Sequence, residues 1–181
     1  MEVKTTKIKD CFILEPKVFK DSRGYFMESF NSKTFNTITG LPVDFVQDNE
    51  SESTYGVIRG LHAQQGESAQ AKLVRVLKGE VLDVVVDIRP DSETYLEHIT
   101  VKLSAENKQQ LFVPRGCLHG FSVLSEKATF FYKCDNYYNK ESEVGIRYDD
   151  PDFDIDWQVS SEQALVSEKD LELPFYKDLK K

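Results

Sequence analysis

Apolar positions along this chain recur in short runs with a period of two, separated by turn residues roughly every ten positions. The clearest run is Val81-Leu82-Asp83-Val84-Val85-Val86-Asp87-Ile88. Leu82, Val84, Val86 and Ile88 share one face of it, and Asp83 and Asp87 share the other with two valines. Runs of this kind predict strands at 43–48, 55–61, 71–77, 81–88, 98–103, 109–113, 119–124 and 128–135. Lys78-Gly79-Glu80 is short and glycine-centred, which predicts a hairpin between its flanking strands. Helical signals are confined to two places. Asn31 to Thr39 predicts a short helix capped by Asn31 or Ser32. A C-terminal segment at about 160–175 predicts short helical pieces packing on the sheets. One is capped by Ser160 or Ser161 and runs through Leu165; the other begins at Ser167, where Ser167…Asp170 has capping-box spacing. Many short antiparallel strands without alternating helices predict an all-β jelly roll or barrel with short flanking helices.

The length, 181 residues, is that of one domain, 1–181, with a sizeable core. No apolar run approaches membrane-span length, and the N-terminus lacks the apolar stretch of a signal peptide, so a cytoplasmic protein is expected. Cys11, Cys117 and Cys134 are odd in number and share no metal-ligand spacing, which predicts buried free thiols rather than a disulfide framework. A formal charge of −8 argues against nucleic acid as the main partner. It does not exclude a small anion held by a few cations in one pocket.

Candidate chemistry gathers at Gly56-Val57-Ile58-Arg59-Gly60-Leu61-His62-Ala63-Gln64 and Val113-Pro114-Arg115-Gly116-Cys117-Leu118-His119-Gly120-Phe121. Each places a histidine after a glycine turn in a strand-like run, the two-part layout of a cupin. A metal-binding cupin carries a second histidine two positions after the first. Here that position is Gln64, and the next charged residue in the following strand is Lys72. Two histidines and a cation are a poor cage for a divalent metal, so no metal is expected. They suit proton transfer, with a base and a fixed positive charge to hold an anion. Tyr132, in an aromatic strand, is either core packing or an acid facing a histidine base across a cavity; an acid on the far face is what inversion of a carbon centre requires. Asp83 is equally open to a cavity-facing role, whereas Asp87 reads as a solvated outer face. Arg23, Glu28, Gln47 and Asn49 lie in the N-terminal third, where turns and strand ends explain them equally well.

Taken together, these blocks resemble the dTDP-4-dehydrorhamnose 3,5-epimerases, from about Phe12 to Asp170. The resemblance rests on Phe-x-Asp-x-Arg-Gly at 19–24, Val-Gln-Asp-Asn at 46–49, Arg-Gly-Leu-His at 59–62, Gln-x-Lys-Leu-Val-Arg at 70–75 and Gly-Glu-Val-x-Asp-Val at 79–84. It continues through Leu-Ser-x-Glu-Asn at 103–107, Pro-x-Gly-x-x-His-Gly-Phe at 114–121, Tyr-Lys at 132–133 and Asn-Tyr-Tyr at 136–138. The resemblance implies a cupin fold and cofactor-free inversion of a dTDP-4-keto-6-deoxyhexose at C3 and C5. It implies His62 as base, Tyr132 as acid, Asp170 as the carboxylate orienting the base and Lys72 as the cation beside the 4-keto oxygen. His119 and Arg59 match positions around the sugar and diphosphate; Tyr138, Glu143 and Lys169 match further ligand positions. Arg23, Glu28, Gln47 and Asn49 match nucleotide contacts that the family supplies across a homodimer interface. Ala63 departs from the aromatic residue many relatives carry there, which affects pocket shape rather than chemistry. Alternatives are a 3- or 5-monoepimerase of another deoxysugar pathway, a metal-dependent cupin oxygenase, and a non-catalytic sugar-binding cupin.

Overall fold

A computed structural model describes residues 1–179. Its strands in chain order are β1 (Glu2–Thr5), β2 (Phe12–Glu15), β3 (Val18–Asp21), β4 (Gly24–Met27), β5 (Gln47–Thr54), β6 (Val57–Gln64), β7 (Lys72–Lys78) and β8 (Glu80–Asp87). They continue with β9 (His98–Ser104), β10 (Gln110–Val113), β11 (Cys117–Val123), β12 (Lys127–Cys134), β13 (Glu143–Gly145) and β14 (Leu165–Val166). Short helices flank them: α1 (Ser32–Thr39), α2 (Glu168–Leu171) and α3 (Tyr176–Leu179). One sheet has the order β1-β2-β10-β7-β12-β5, and a second has the order β13-β6-β11-β8-β9. β14 adds to β6 in parallel, and β3 and β4 form a separate hairpin. This is the all-β jelly roll with short flanking helices that the strand pattern predicts.

Three apolar clusters account for the layers. Val74, Leu111 and Phe130 of the first sheet meet Val85, Leu103 and Phe121 of the second between the sheets. Val84 and Val86, on the opposite face of β8, pack beneath Ile146, Phe153 and Trp157 from the C-terminal segment. Leu14, Leu73 and Phe112 on the outer face of the first sheet are covered by Phe35 of α1. β8 is thus covered on both faces, which explains its near-continuous valine run. Asn31 caps α1, its side-chain oxygen accepting from the Thr34 amide, and Gly40 ends it in the left-handed conformation.

Several expectations are corrected. Lys78-Gly79-Glu80 is not a hairpin: β7 and β8 lie in different sheets, and the glycine carries the chain around the corner between them. A Cβ at Gly79 would sit 2.1 Å from the Lys127 carbonyl oxygen, so only glycine fits there. The strand expected at 43–48 instead begins at Gln47 and continues to Thr54. Its sequence, Gln-Asp-Asn-Glu-Ser-Glu-Ser-Thr, is almost wholly polar because it is an edge strand with alternate side chains facing solvent. Ser160 does not start a helix. The chain turns at 161–163 and Leu165 donates its amide to the Gly56 carbonyl at 2.8 Å, filling the edge of β6 that β13 leaves free. α2 does begin at Ser167, whose hydroxyl accepts from the Asp170 amide. The three cysteines are free and buried.

Asp87 is not on a solvated face. It is fully buried at the end of β8 and accepts hydrogen bonds from Arg89 Nε and Nη2, Ser92 Oγ and Thr94 Oγ1 at 2.6–2.9 Å. Burial opposes ionisation, but the bonds from Arg89, Ser92 and Thr94 together outweigh it and hold the carboxyl well below the usual range. A lowered folded pKa stabilises the fold above the unfolded value of about 3.9 and the gain is lost as pH falls through the folded value. Asp87→Asn should therefore cost about 3–5 kcal/mol at pH 7, the usual loss when one partner of a buried ion pair is removed. In denaturant melts, the gap between variant and wild type should narrow below about pH 4. An equal gap at pH 7 and pH 3 would contradict this.

Candidate active site

β6 and β11 pair so that His62 and His119 are direct register partners. The strands approach very closely just beside them. A Cβ on Gly60 would lie 2.6 Å from Gly120 Cα, and one on Gly120 would lie 2.7 Å from the Arg59 carbonyl oxygen. Both glycines of the two histidine-bearing blocks are therefore required to bring the strands together at this point.

Each histidine has its own carboxylate. His62 Nε2 donates to Asp170 Oδ1 at 2.7 Å, from β6 to α2 across the face of the second sheet. Asp170 is nearly inaccessible, and burial works against its ionised form. Hydrogen bonding from His62, the Gly60 amide and the Ser167 hydroxyl more than compensates, so its pKa lies below the usual carboxylate value. An ionised Asp170 can only accept, which fixes the hydrogen on Nε2 and leaves the Nδ1 lone pair of His62 as the available base. His119 Nε2 lies 2.9 and 3.1 Å from the two oxygens of Asp83. Asp83 is fully buried, and burial raises its pKa against the opposing pull of His119 and Lys72. Its carboxyl faces between the sheets rather than outward. An acid among valines was the sequence signal for it, but strand alternation alone could not say which face would be inside.

The facing sheet supplies the other wall. Two adjoining cavities of about 420 and 400 Å³ share Asn49, His62, Lys72, Tyr132 and Lys169. Arg59, His119 and Asp170 line the first; Gln47, Gln64, Gln70, Cys134, Tyr138 and Glu143 line the second. The Lys72 ammonium stands 5.9 Å from the centre of the Tyr132 ring and, among the described residues, makes no ion pair. Burial lowers its pKa despite the opposing influence of Cys134, Asp83 and Glu143. Burial, with a smaller push from Cys134, raises that of Tyr132, so its hydroxyl keeps its proton at neutral pH. Arg59 is held by its Nε donating to Ser53 Oγ at 3.1 Å. At the mouth, Tyr138 donates its hydroxyl to Glu143 Oε2 at 2.6 Å, and Lys169 donates to Glu143 Oε1. Gln64, Gln70 and Cys134 are cavity residues that sequence reasoning left out of the binding set. Gln64 was legible as a cavity position from its alternation with His62, whereas Gln70 and Cys134 had no such signal.

Gln47 and Asn49 line the chain's own cavity, so the expectation that a second subunit delivers them is corrected: β5 pairs with β12 and carries them beside Tyr132. Arg23 and Glu28 line neither cavity. Arg23 sits on the β3–β4 turn, largely exposed and paired with Asp21, and Glu28 accepts from Asn31 Nδ2.

The chain as a whole is similar to known proteins. A family model described as dTDP-4-dehydrorhamnose 3,5-epimerase matches residues 5–178. The chain belongs to the dTDP-4-dehydrorhamnose 3,5-epimerase family. The epimerase of Shigella flexneri is 53% identical over 171 residues, 94% of this chain and 93% of its own. The crystal structure of the Elizabethkingia anophelis epimerase superposes with a TM-score of 0.95 at 55% identity, covering 98% of this chain and 97% of that one. A Legionella pneumophila epimerase, solved in complex with dTDP-4-keto-L-rhamnose, has a TM-score of 0.92 at 48% identity, covering 96% and 92%. His62 on the second sheet and protonated Tyr132 on the first line the same space from opposite walls.

Proposed function

We propose that this epimerase converts dTDP-4-dehydro-6-deoxy-D-glucose to dTDP-4-dehydro-L-rhamnose, with His62 as base, Tyr132 as acid and no cofactor. The observation that carries the reading is the His62–Asp170 pair on one wall facing protonated Tyr132 on the other, with an uncommitted Lys72 ammonium lining the same space. C3 and C5 of the substrate both flank the C4 ketone, so their hydrogens are carbon acids. His62 Nδ1 removes one, and the electron pair moves to the ketone oxygen. Lys72 lost solvation on burial and meets the enolate oxygen there, which is the kind of electrostatic stabilisation that dominates such steps. Asp170 holds the resulting imidazolium. Tyr132 returns a proton to the opposite face; His62 then releases its proton to solvent and the Tyr132 phenolate takes one up, after which the second carbon follows the same sequence. His119, backed by Asp83, and Arg59 hold the sugar and diphosphate. Gln47, Asn49, Tyr138, Glu143 and Lys169 hold the nucleotide end at the mouth.

Arg23 and Glu28 complete the nucleotide site from a second subunit, the enzyme acting as a homodimer in the cytoplasm. This is supported by their position on and beside the β3–β4 hairpin, away from the chain's own cavity. The hairpin also exposes Phe19, Tyr25 and Phe26 at 53%, 55% and 69%.

Incubating the enzyme with the 4-keto sugar nucleotide in D2O and following the product by NMR tests the reading. Deuterium is expected at both C3 and C5; label at one carbon only would make the enzyme a monoepimerase. His62, His119, Gln64 and Lys72 offer a divalent ion too few donors, and Lys72 repels it. Activity should therefore be unchanged after exhaustive chelation. Loss on chelation, restored by iron, manganese or zinc, would revive the oxygenase reading.

A further inference from the structure

β5 and β6 are joined by a tight turn at Tyr55-Gly56, yet they belong to different sheets. The chain leaves the first sheet at Thr54, turns, and enters the second at Val57. Residues on either side of that corner can meet across it, and one polar pair does. Arg59 Nε donates to Ser53 Oγ at 3.1 Å.

Ser53 stands apart from its neighbours on β5. Gln47, Asn49, Ser51 and Ser53 turn inward on this strand, in alternation with exposed Asp48, Glu50, Glu52 and Thr54. Gln47, Asn49 and Ser51 line the cavities, whereas Ser53 lines neither. It is 7% exposed and lies opposite buried Ala128 of β12. A hydroxyl so placed needs a partner, and among the described residues the Arg59 guanidinium is the one it has.

The arginine is in the opposite situation. Arg59 is exposed and borders the same cavity as His62, Lys72 and His119. Among the described residues it makes no ion pair, and its Nη1 and Nη2 make no hydrogen bond. A guanidinium can meet an anion side-on, through Nε and one Nη, or end-on, through Nη1 and Nη2. The Ser53 hydroxyl occupies Nε, which removes the side-on edge and leaves the end-on one. It also restrains a long side chain that would otherwise lose rotamer freedom only when substrate binds.

We infer that Ser53 is a positioning residue for substrate binding, holding Arg59 so that Nη1 and Nη2 meet one phosphoryl group of the diphosphate end-on. The inference rests on the reading of Arg59 as a diphosphate ligand and adds what orients it and which edge it uses. Ser53 itself does not touch the substrate. The phosphates are unchanged while protons move at C3 and C5, so this contact is equally strong before and during the chemical steps. Its effect therefore falls on KM and leaves kcat alone.

The test is steady-state kinetics on the full-length chain with the 4-keto sugar nucleotide, together with isothermal titration of dTDP. Ser53→Ala should raise KM and the Kd for dTDP by about tenfold, the worth of one hydrogen bond to a charged group, with kcat unchanged. Arg59→Met, which keeps the stem and removes the guanidinium, should raise both further. Adding Ser53→Ala to Arg59→Met should change nothing more, because the hydroxyl acts only through the guanidinium. A purely structural role would read differently, since His62 follows Arg59 on the same strand and a disturbed corner would lower kcat. Wild-type KM in S53A, a fall in kcat, or an additive double variant would overturn the inference while leaving Arg59 as the ligand. Wild-type KM in R59M would instead remove Arg59 from the diphosphate site, and with it the reading on which the inference rests.

Discussion

Replacing His62 by alanine should lower turnover by about 10²–10⁴, the range that a positioned general base contributes, and deuterium exchange into the substrate should fall in parallel. The expectation follows from the tautomer. Asp170 is held ionised by its hydrogen bonds and accepts from Nε2, so Nδ1 is the only nitrogen of His62 with a free lone pair in the cavity. His119 carries a carboxylate on Nε2 in the same way, but burial raises the pKa of Asp83 whereas that of Asp170 is lowered, so the pair whose carboxylate is held ionised is the one at His62. Nucleotide affinity should change little, since the mouth residues Tyr138, Glu143 and Lys169 bond to one another rather than to His62. Fluorescence titration with dTDP separates the two effects. If the alanine variant keeps a tenth of the wild-type turnover, His62 is not the base.

Tyr132→Phe should uncouple two processes that wild type performs together. Abstraction needs only the base, so solvent deuterium should still enter the substrate. Inversion needs a proton delivered to the opposite face, so product should fall by about 10²–10⁴. The substitution is mild for packing: the ring stands 6.1 Å from Phe130, and phenylalanine keeps that contact. The tyrosine hydroxyl is suited to the acid role because burial raises its pKa and keeps it protonated. Exchange by mass spectrometry and product by NMR can be read from one reaction. Parallel loss of exchange and inversion would make Tyr132 a packing residue and leave the acid to be found elsewhere.

Local pattern carried much of the fold. The period-two and continuous apolar runs located β6 through β12 to within a few residues, because each buries at least one face and β8, β10 and β11 bury both. The same logic failed at β5, where both faces are polar, and at β1 to β4, whose short runs lack a strong alternation. It failed again at the Lys78-Gly79-Glu80 corner. A three-residue glycine turn looks the same whether the next strand folds back onto its neighbour or crosses to the opposite sheet, and only the packing of the two sheets separates those outcomes.

For the site, the sequence by itself determined the chemical inventory: two histidines after glycine turns, glutamine and lysine where a metal site needs ligands, and a tyrosine in an aromatic strand. Those identities are enough to favour proton transfer over metal chemistry, because the number and kind of ligand atoms belong to the residue type. Tertiary structure decided the pairings, of which the family resemblance implied only that of His62 with Asp170. His62 meets Asp170 from 108 positions away, His119 meets Asp83 from 36 positions away, and Asp87 turns inward to tie a loop. It also placed Gln47 and Asn49 in the lining of their own chain's cavity and Arg23 and Glu28 outside it. The physical reason is that a side chain's partner is set by which strands lie side by side, and that order comes from burying three apolar layers at once rather than from any stretch of the chain read alone.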